Sequence, residues 1–152
     1  MKITKRGEYG LKVMLALADV YVSDKPLTLR EIAVREKLPL KFLEQIMMPL
    51  RRAGFVENAK GKFGGYSLSR KPEEITLGEV IRSVDGPLAP IGTLKQMKER
   101  VLRRDRHVGL YSVLLDVRNA ISEILDKKTL ADVQERSSEL ASAEPAGAMY
   151  YI

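Results

Sequence analysis

The chain has 152 residues, 45% of them hydrophobic and 30% charged, with a formal net charge of +6, which is the composition of one globular domain with at most an appendage. It has no cysteine and a single histidine, His107, which excludes disulfides, thiolate chemistry, a catalytic triad and a multi-histidine metal site. The charge is uneven: residues 1–70 carry 14 Lys+Arg against 7 Asp+Glu and residues 71–152 carry 12 against 13, so a polyanion-binding surface belongs in the first half.

In chain order, residues 8–21 predict a helix with Tyr9, Val13, Ala16 and Val20 on one face, widened by Leu11, Met14, Leu15 and Ala18. Lys5, Arg6 and Lys12 flank its start, either as a solvated end or as phosphate contacts. After the loop Ser-Asp-Lys-Pro, Thr28 and Glu31 form the T-x-x-E box that starts a helix. Pro39 marks the start of a second helix, and Leu43, Ile46, Met47 and Leu50 recur at helical spacing until Gly54 caps it. Two short helices joined by a tight turn over residues 28–53 predict a helix-turn-helix. Residues 55–57 pair with residues 66–68 as a hairpin, which adds a wing over 55–68.

On the second of these helices Lys41, Glu44, Gln45, Met48, Arg51 and Arg52 project away from the apolar stripe. In a helix-turn-helix the first residues of this helix reach base edges in the major groove. Lys41 can donate to guanine, Gln45 can pair with adenine, and Glu44 can accept from cytosine. The alternative is a solvated face in which Lys41 pairs with Glu44 or Gln45. Pro49 lies inside the helix and predicts a bend rather than a break. The wing loop, Asn-Ala-Lys-Gly-Lys-Phe-Gly-Gly, sets Lys60 and Lys62 at its tip, where a basic loop can enter a minor groove. Its glycines do not have the spacing of a nucleotide phosphate cradle, and a plain hairpin loop is the competing interpretation.

Thr76 and Glu79 repeat the capping box before a helix over residues 77–84 that packs Leu77, Val80, Ile81 and Val84. A linker over 88–93 leads to residues 94–106, with a thin stripe of Leu94, Met97, Val101 and Leu102. Residues 95–106 hold six Lys+Arg against two Asp+Glu, and suit either a basic helix lying on its own domain or a site for an anionic effector or an acidic partner protein. Residues 111–126 predict the longest helix. Leu110, Val113, Leu114, Val117, Ile121, Ile124 and Leu125 give it a stripe too wide for a lone surface helix, so a subunit interface is expected, with core packing as the alternative. Thr129 and Asp132 cap a last helix through about residue 140, and residues 141–152 lose periodicity and predict a flexible tail.

The segments KRGEYGLKVMLALA, LREIAVREKLPLKFLEQI, PLRRAGFVENAKGKFGGYSLSRKPEEITLGEVIRSVDGP and ISEILDKKTLADV resemble the bacterial Rrf-two family of transcription regulators. The resemblance implies a dimeric winged-helix repressor or activator whose dimer forms through the long helix. It places DNA contacts on Pro39, Lys41, Glu44, Lys60 and Gly61. Residues and resemblance together give an expected DNA-contacting set of Thr28, Pro39, Lys41, Glu44, Gln45, Arg51, Arg52, Lys60, Gly61 and Lys62. Cluster-binding members of that family carry three cysteines, the first on or beside Thr93 and the last on or beside Val108. This chain has none there, so no iron–sulfur cluster, metal or other cofactor is expected.

The fold class expected is therefore mainly α with a small β-hairpin wing: a winged helix-turn-helix domain over 1–87, a linker, basic helix and dimerisation helix over 88–140, and the tail. The function expected is that of a homodimeric regulator, a repressor, that binds a pseudo-palindrome in double-stranded DNA. The alternative is a protein-interaction module that takes an acidic partner through the same surfaces. No constellation of nucleophile, base and orienting group points to an enzyme. No membrane-length apolar run or secretory signal is present, so the protein is expected in the cytoplasm.

Overall fold

The computed structural model describes residues 2–62, 64–89 and 91–143. Among them are seven α-helices and one two-stranded antiparallel hairpin. The tail predicted over 141–152 lies outside the described residues from 144 onward; residues 141 and 142 still belong to the last helix.

The first helix, α1 (Lys5–Asp19), begins three residues earlier than its apolar pattern suggests. Thr4 caps it, its Oγ1 accepting from the Gly7 amide at 3.2 Å. Val13, Met14, Ala16, Leu17 and Ala18 bury one side of it. The next helix, α2 (Leu29–Glu36), starts from the full capping box at Thr28 and Glu31. It ends where Lys37 turns left-handed at φ 54°, which lets the Leu38 amide reach back to the Ala33 carbonyl at 2.9 Å. The second helix of the motif, α3 (Leu40–Arg52), continues through Pro49 without a break. Gly54, at φ 78°, ends it: the Phe55 amide donates to the Leu50 carbonyl at 3.1 Å and the Gly54 amide to Arg51 at 3.0 Å. Gly54 supplies the positive φ that this closing turn demands.

The wing is β1 (Val56–Asn58) against β2 (Tyr66–Leu68), with Val56 opposite Leu68 and Asn58 opposite Tyr66. The first strand is therefore one residue later than the predicted 55–57, because the Phe55 amide already closes α3. Tyr66 also exchanges two main-chain hydrogen bonds with Leu27, at 2.8 and 3.0 Å, tying the wing to the residue just before the cap of α2.

A single 3-10 turn (Pro72–Glu74) leads to α4 (Leu77–Asp85), again started by a full capping box. The basic segment forms a shorter helix than predicted, α5 (Leu94–Leu102), because Arg103 leaves helical geometry and Arg104 adopts φ 50°. Of its predicted stripe Met97 is buried, whereas Leu102 points to solvent. The long helix, α6 (Val108–Lys127), extends beyond the predicted 111–126 at both ends. The last, α7 (Leu130–Ser142), folds back onto α1 and the 3-10 turn. Leu130 is fully buried in the same core as Val13, Ile32, Leu43, Ile46 and Val80, and its amide donates to the Ile75 carbonyl at 2.9 Å. The last helix thus packs with the helices of the first 85 residues, although α5 and α6 separate it from them in the chain.

Candidate nucleic-acid interface

The interface is built on α3. Leu43, Ile46, Met47 and Leu50 hold one side of the helix in the core, which turns Lys41, Glu44, Gln45, Met48, Arg51 and Arg52 out to solvent. Pro39 is the N-cap rather than the first helical residue, and its carbonyl accepts from the Phe42 and Leu43 amides at 3.1 and 3.2 Å. Among the described residues neither Lys41 nor Glu44 takes part in an ion pair, so the start of α3 presents its polar groups uncommitted. Exposed donors and acceptors of this kind can pair with base edges.

Arg51 is placed differently. Its Nη1 donates to Asn58 Oδ1 on β1 at 3.2 Å and joins the helix to the wing. Thr28 is half-buried, and its Oγ1 accepts from the Glu31 amide at 3.2 Å while its own amide donates to Glu31 Oε2 at 2.7 Å. That leaves only its hydroxyl proton for a phosphate. Lys60, Gly61 and Lys62 are all exposed at the wing, and the Ala59 amide donates to the Gly65 carbonyl at 2.8 Å below them. The expected contact set therefore occupies α3, the cap of α2 and the wing, with the wing pinned at both ends of the helix-turn-helix by Leu27–Tyr66 and Arg51–Asn58. Neither pin is legible in the sequence. The side-chain pair carries no local signal. Leu27 has the apolar character of a residue preceding a cap, but nothing in it names Tyr66.

Beside this surface, Tyr9 on α1 meets Phe42 on α3 edge to face at 5.2 Å. Lys5 and Lys12 both pair with Glu8, at 3.4 and 3.3 Å. Hydrogen bonds from Lys12 and then Lys5 hold the Glu8 carboxyl below its ordinary range. Two of the three cations at this end are thus engaged within α1.

Farther along, an open pocket of about 430 Å³ lies between Ile91 and Gly92 of the linker, α5, the turn after it and Tyr111 on α6. Arg100 lies 4.6 Å over the Tyr111 ring and donates to its hydroxyl at 2.6 Å, with Asp105 at 3.8 Å. Glu99 and Asp105, the two acids of residues 95–106, line the same pocket as Arg100 and Arg103.

On α6 the predicted interface residues form an open face. Leu110, Val113, Val117 and Ile124 are 40–63% exposed, and Leu114, Ile121 and Leu125 are half-buried. Of the helix's 20 residues only Ser122 is buried.

An exposed, uncommitted recognition helix, a basic wing fixed to it and a long apolar helix carried behind them define a DNA-binding transcription regulator of the winged helix-turn-helix class. Comparison with known proteins narrows the class. Residues 3–136 match the Rrf2 family model, described as an iron-dependent transcriptional regulator. The chain is 35% identical over 152 residues to the HTH-type transcriptional regulator CymR of Bacillus subtilis (strain 168), covering 100% of both. A solved structure of B. subtilis CymR, described as the global cysteine regulator, superposes with a TM-score of 0.72 at 35% identity, covering 90% of this chain and 98% of that one. The structure of T. potens IscR superposes at 0.73 with 34% identity, covering 99% and 97%. The chain belongs to the Rrf2 family of transcription regulators, which are not enzymes.

The iron of the family's description does not fit the residues present. The chain has no cysteine, and His107 is its one imidazole. Among the described residues no three His, Cys, Asp or Glu side chains gather where they could hold a metal ion. No helix among them is long and apolar enough to cross a membrane.

Proposed function

We propose that this regulator works as a homodimeric repressor in the cytoplasm, and that it reads a pseudo-palindromic operator without an iron–sulfur cluster. In this reading Lys41, Glu44 and Gln45 at the start of α3 contact base edges in the major groove. Thr28, Pro39, Arg51 and Arg52 sit along the flanking phosphates, and Lys60, Gly61 and Lys62 lie against the minor groove. The observation that carries the dimer is α6. A 20-residue helix with one buried residue and an uncovered apolar face is stable in water when that face meets another surface. A second copy supplies the same face, and two reading heads related by a two-fold axis recognise a repeated half-site in inverted orientation.

Selection of bound sequences from a random duplex pool tests the reading, with the oligomeric state measured by sedimentation. An inverted repeat bound by a dimer is the expected result, with affinity falling steeply as salt rises. No recovered motif, together with salt-insensitive binding, would sink it and favour an acidic protein partner instead.

A further inference from the structure

The base-reading surface of α3 contains one large apolar side chain that the contact set above does not use. Met48 is 58% exposed, although Met47 beside it is buried. Single apolar residues on a protein surface are ordinary. The position of this one is not. Met48 follows Lys41 by two helical turns and lies within about 20° of it around the axis. The buried residues Leu43, Ile46, Met47 and Leu50 occupy the opposite side. Met48 therefore stands at the crest of the exposed face, with Glu44 one turn before it and Arg52 one turn after it. It also lines a groove of about 330 Å³ between α3 and Tyr66 of the wing, together with Glu44, Arg51 and Arg52.

A charged helix face presented to a polyanion gains nothing electrostatic from a thioether at its crest. What such a side chain can recognise is the one apolar group on the major-groove edge of the base pairs, the thymine 5-methyl. An unbranched, polarisable side chain is suited to packing on a methyl whose position varies slightly with local DNA shape. We propose that Met48 is a specificity-determining residue that packs on a thymine methyl in each half-site. The inference rests on the reading of α3 as the base-contacting helix, and it adds an apolar contact to the polar ones.

The test uses the full chain and the duplex recovered by selection. Each thymine is replaced in turn by uracil, which removes only the methyl group, and affinity is measured by fluorescence anisotropy for wild type and Met48→Ala. At one thymine per half-site the wild type is expected to lose about fourfold, the value of one methyl-sized group withdrawn from burial. Met48→Ala is expected to bind thymine and uracil duplexes alike at that position while keeping its preference elsewhere. A wild type indifferent to every replacement would overturn the proposal, as would a Met48→Ala variant that still discriminates as the wild type does. In both cases the operator is still bound, and the DNA-reading function stands. If no motif is recovered, the function itself falls and the proposal falls with it.

Discussion

The Arg82 guanidinium and the Asp126 carboxylate meet through two hydrogen bonds of 2.7 Å each where α4 crosses α6. This two-pronged geometry is the strongest arrangement open to the pair. It fastens the last helix of the winged segment to the long helix that carries the open apolar face. Ser122, the one buried residue of α6, lies 3.5 Å from the same guanidinium. Both charged side chains keep about a third or more of their surface in solvent, so the pair stabilises the fold by only about 1 kcal/mol. Its weight is geometric: it holds α4 against α6 at a defined point.

Gly78 tests that geometry. A Cβ at this position would collide with the Asp126 carboxylate held by Arg82. Alanine in place of glycine stabilises a helix interior by about 1 kcal/mol and the first turn, where Gly78 lies, by less. Gly78→Ala should therefore fail to stabilise the wild type, yet recover that gain in an Asp126→Ala background. Urea unfolding of the four proteins measures the cycle. Equal gains in both backgrounds would show that the carboxylate does not occupy this space.

The same pair sets a pH dependence. The hydrogen bond from Arg82 holds the Asp126 carboxyl below its ordinary value of 3.8 against the opposing effect of burial. A carboxyl depressed in the folded state contributes stability above its unfolded value and loses it as pH falls through the folded one. The stability difference between wild type and Asp126→Asn should thus be constant near neutral pH and shrink below about pH 4. A difference unchanged down to about pH 2 would exclude this linkage.

Lys37 adopts a left-handed conformation, φ 54° and ψ 48°, in the turn between α2 and α3. A non-glycine residue there carries a steric penalty of about 1 kcal/mol or more, partly offset by the greater chain entropy that glycine loses on folding. Lys37→Gly should raise the urea midpoint by the equivalent of about 0.5–1 kcal/mol at unchanged slope. A lowered midpoint would mean that the lysine side chain contributes contacts which outweigh the backbone penalty.

Wing and recognition helix should separate in their effects on DNA. Lys60→Ala is expected to weaken binding to all duplexes and to flatten the salt dependence by about one counterion. Glu44→Ala should instead relax discrimination at one base pair, by about 1–3 kcal/mol. Binding isotherms on the selected site and on random DNA at several salt concentrations distinguish them. Equal losses on both duplexes for both variants would refute the division.

Val113 and Ile124 are about 60% exposed within one protomer, so aspartate at either place leaves the protomer's own packing intact. In a dimer that covers this face an unpaired carboxylate costs several kcal/mol. Val113→Asp and Ile124→Asp should therefore sediment as folded monomers, with wild-type circular dichroism. A wild-type chain that is itself monomeric at micromolar concentration removes the premise.

What was legible in the sequence was what is local. The boxes at Thr28, Thr76 and Thr129 each pair a cap with an acid three residues on, and each starts a helix where the spacing says. Thr4 also caps a helix, but three residues on stands Gly7, so the reciprocal signal is missing and the apolar pattern alone puts the start of α1 too late. The outward set on α3 followed from its 3.6-residue period, because the core takes the opposite side. The end of α5 is not legible because its stop is Arg104 turning left-handed, a conformation that arginine does not announce. The pairs Leu27–Tyr66, Arg51–Asn58 and Arg82–Asp126 span 39, 7 and 44 positions, and no periodicity relates their members.

The return of Leu130 to the core sets an order on biosynthesis. The winged segment emerges from the ribosome first, but its hydrophobic interior has an unfilled place until residue 130 arrives, more than forty residues after α4 is complete. A vacancy of leucine size in a core costs about 2.7–5 kcal/mol, a large fraction of what holds a small domain together. The nascent winged segment therefore stays marginal until α6 has been synthesised in full, so the helix that carries the open apolar face is already made when the core closes.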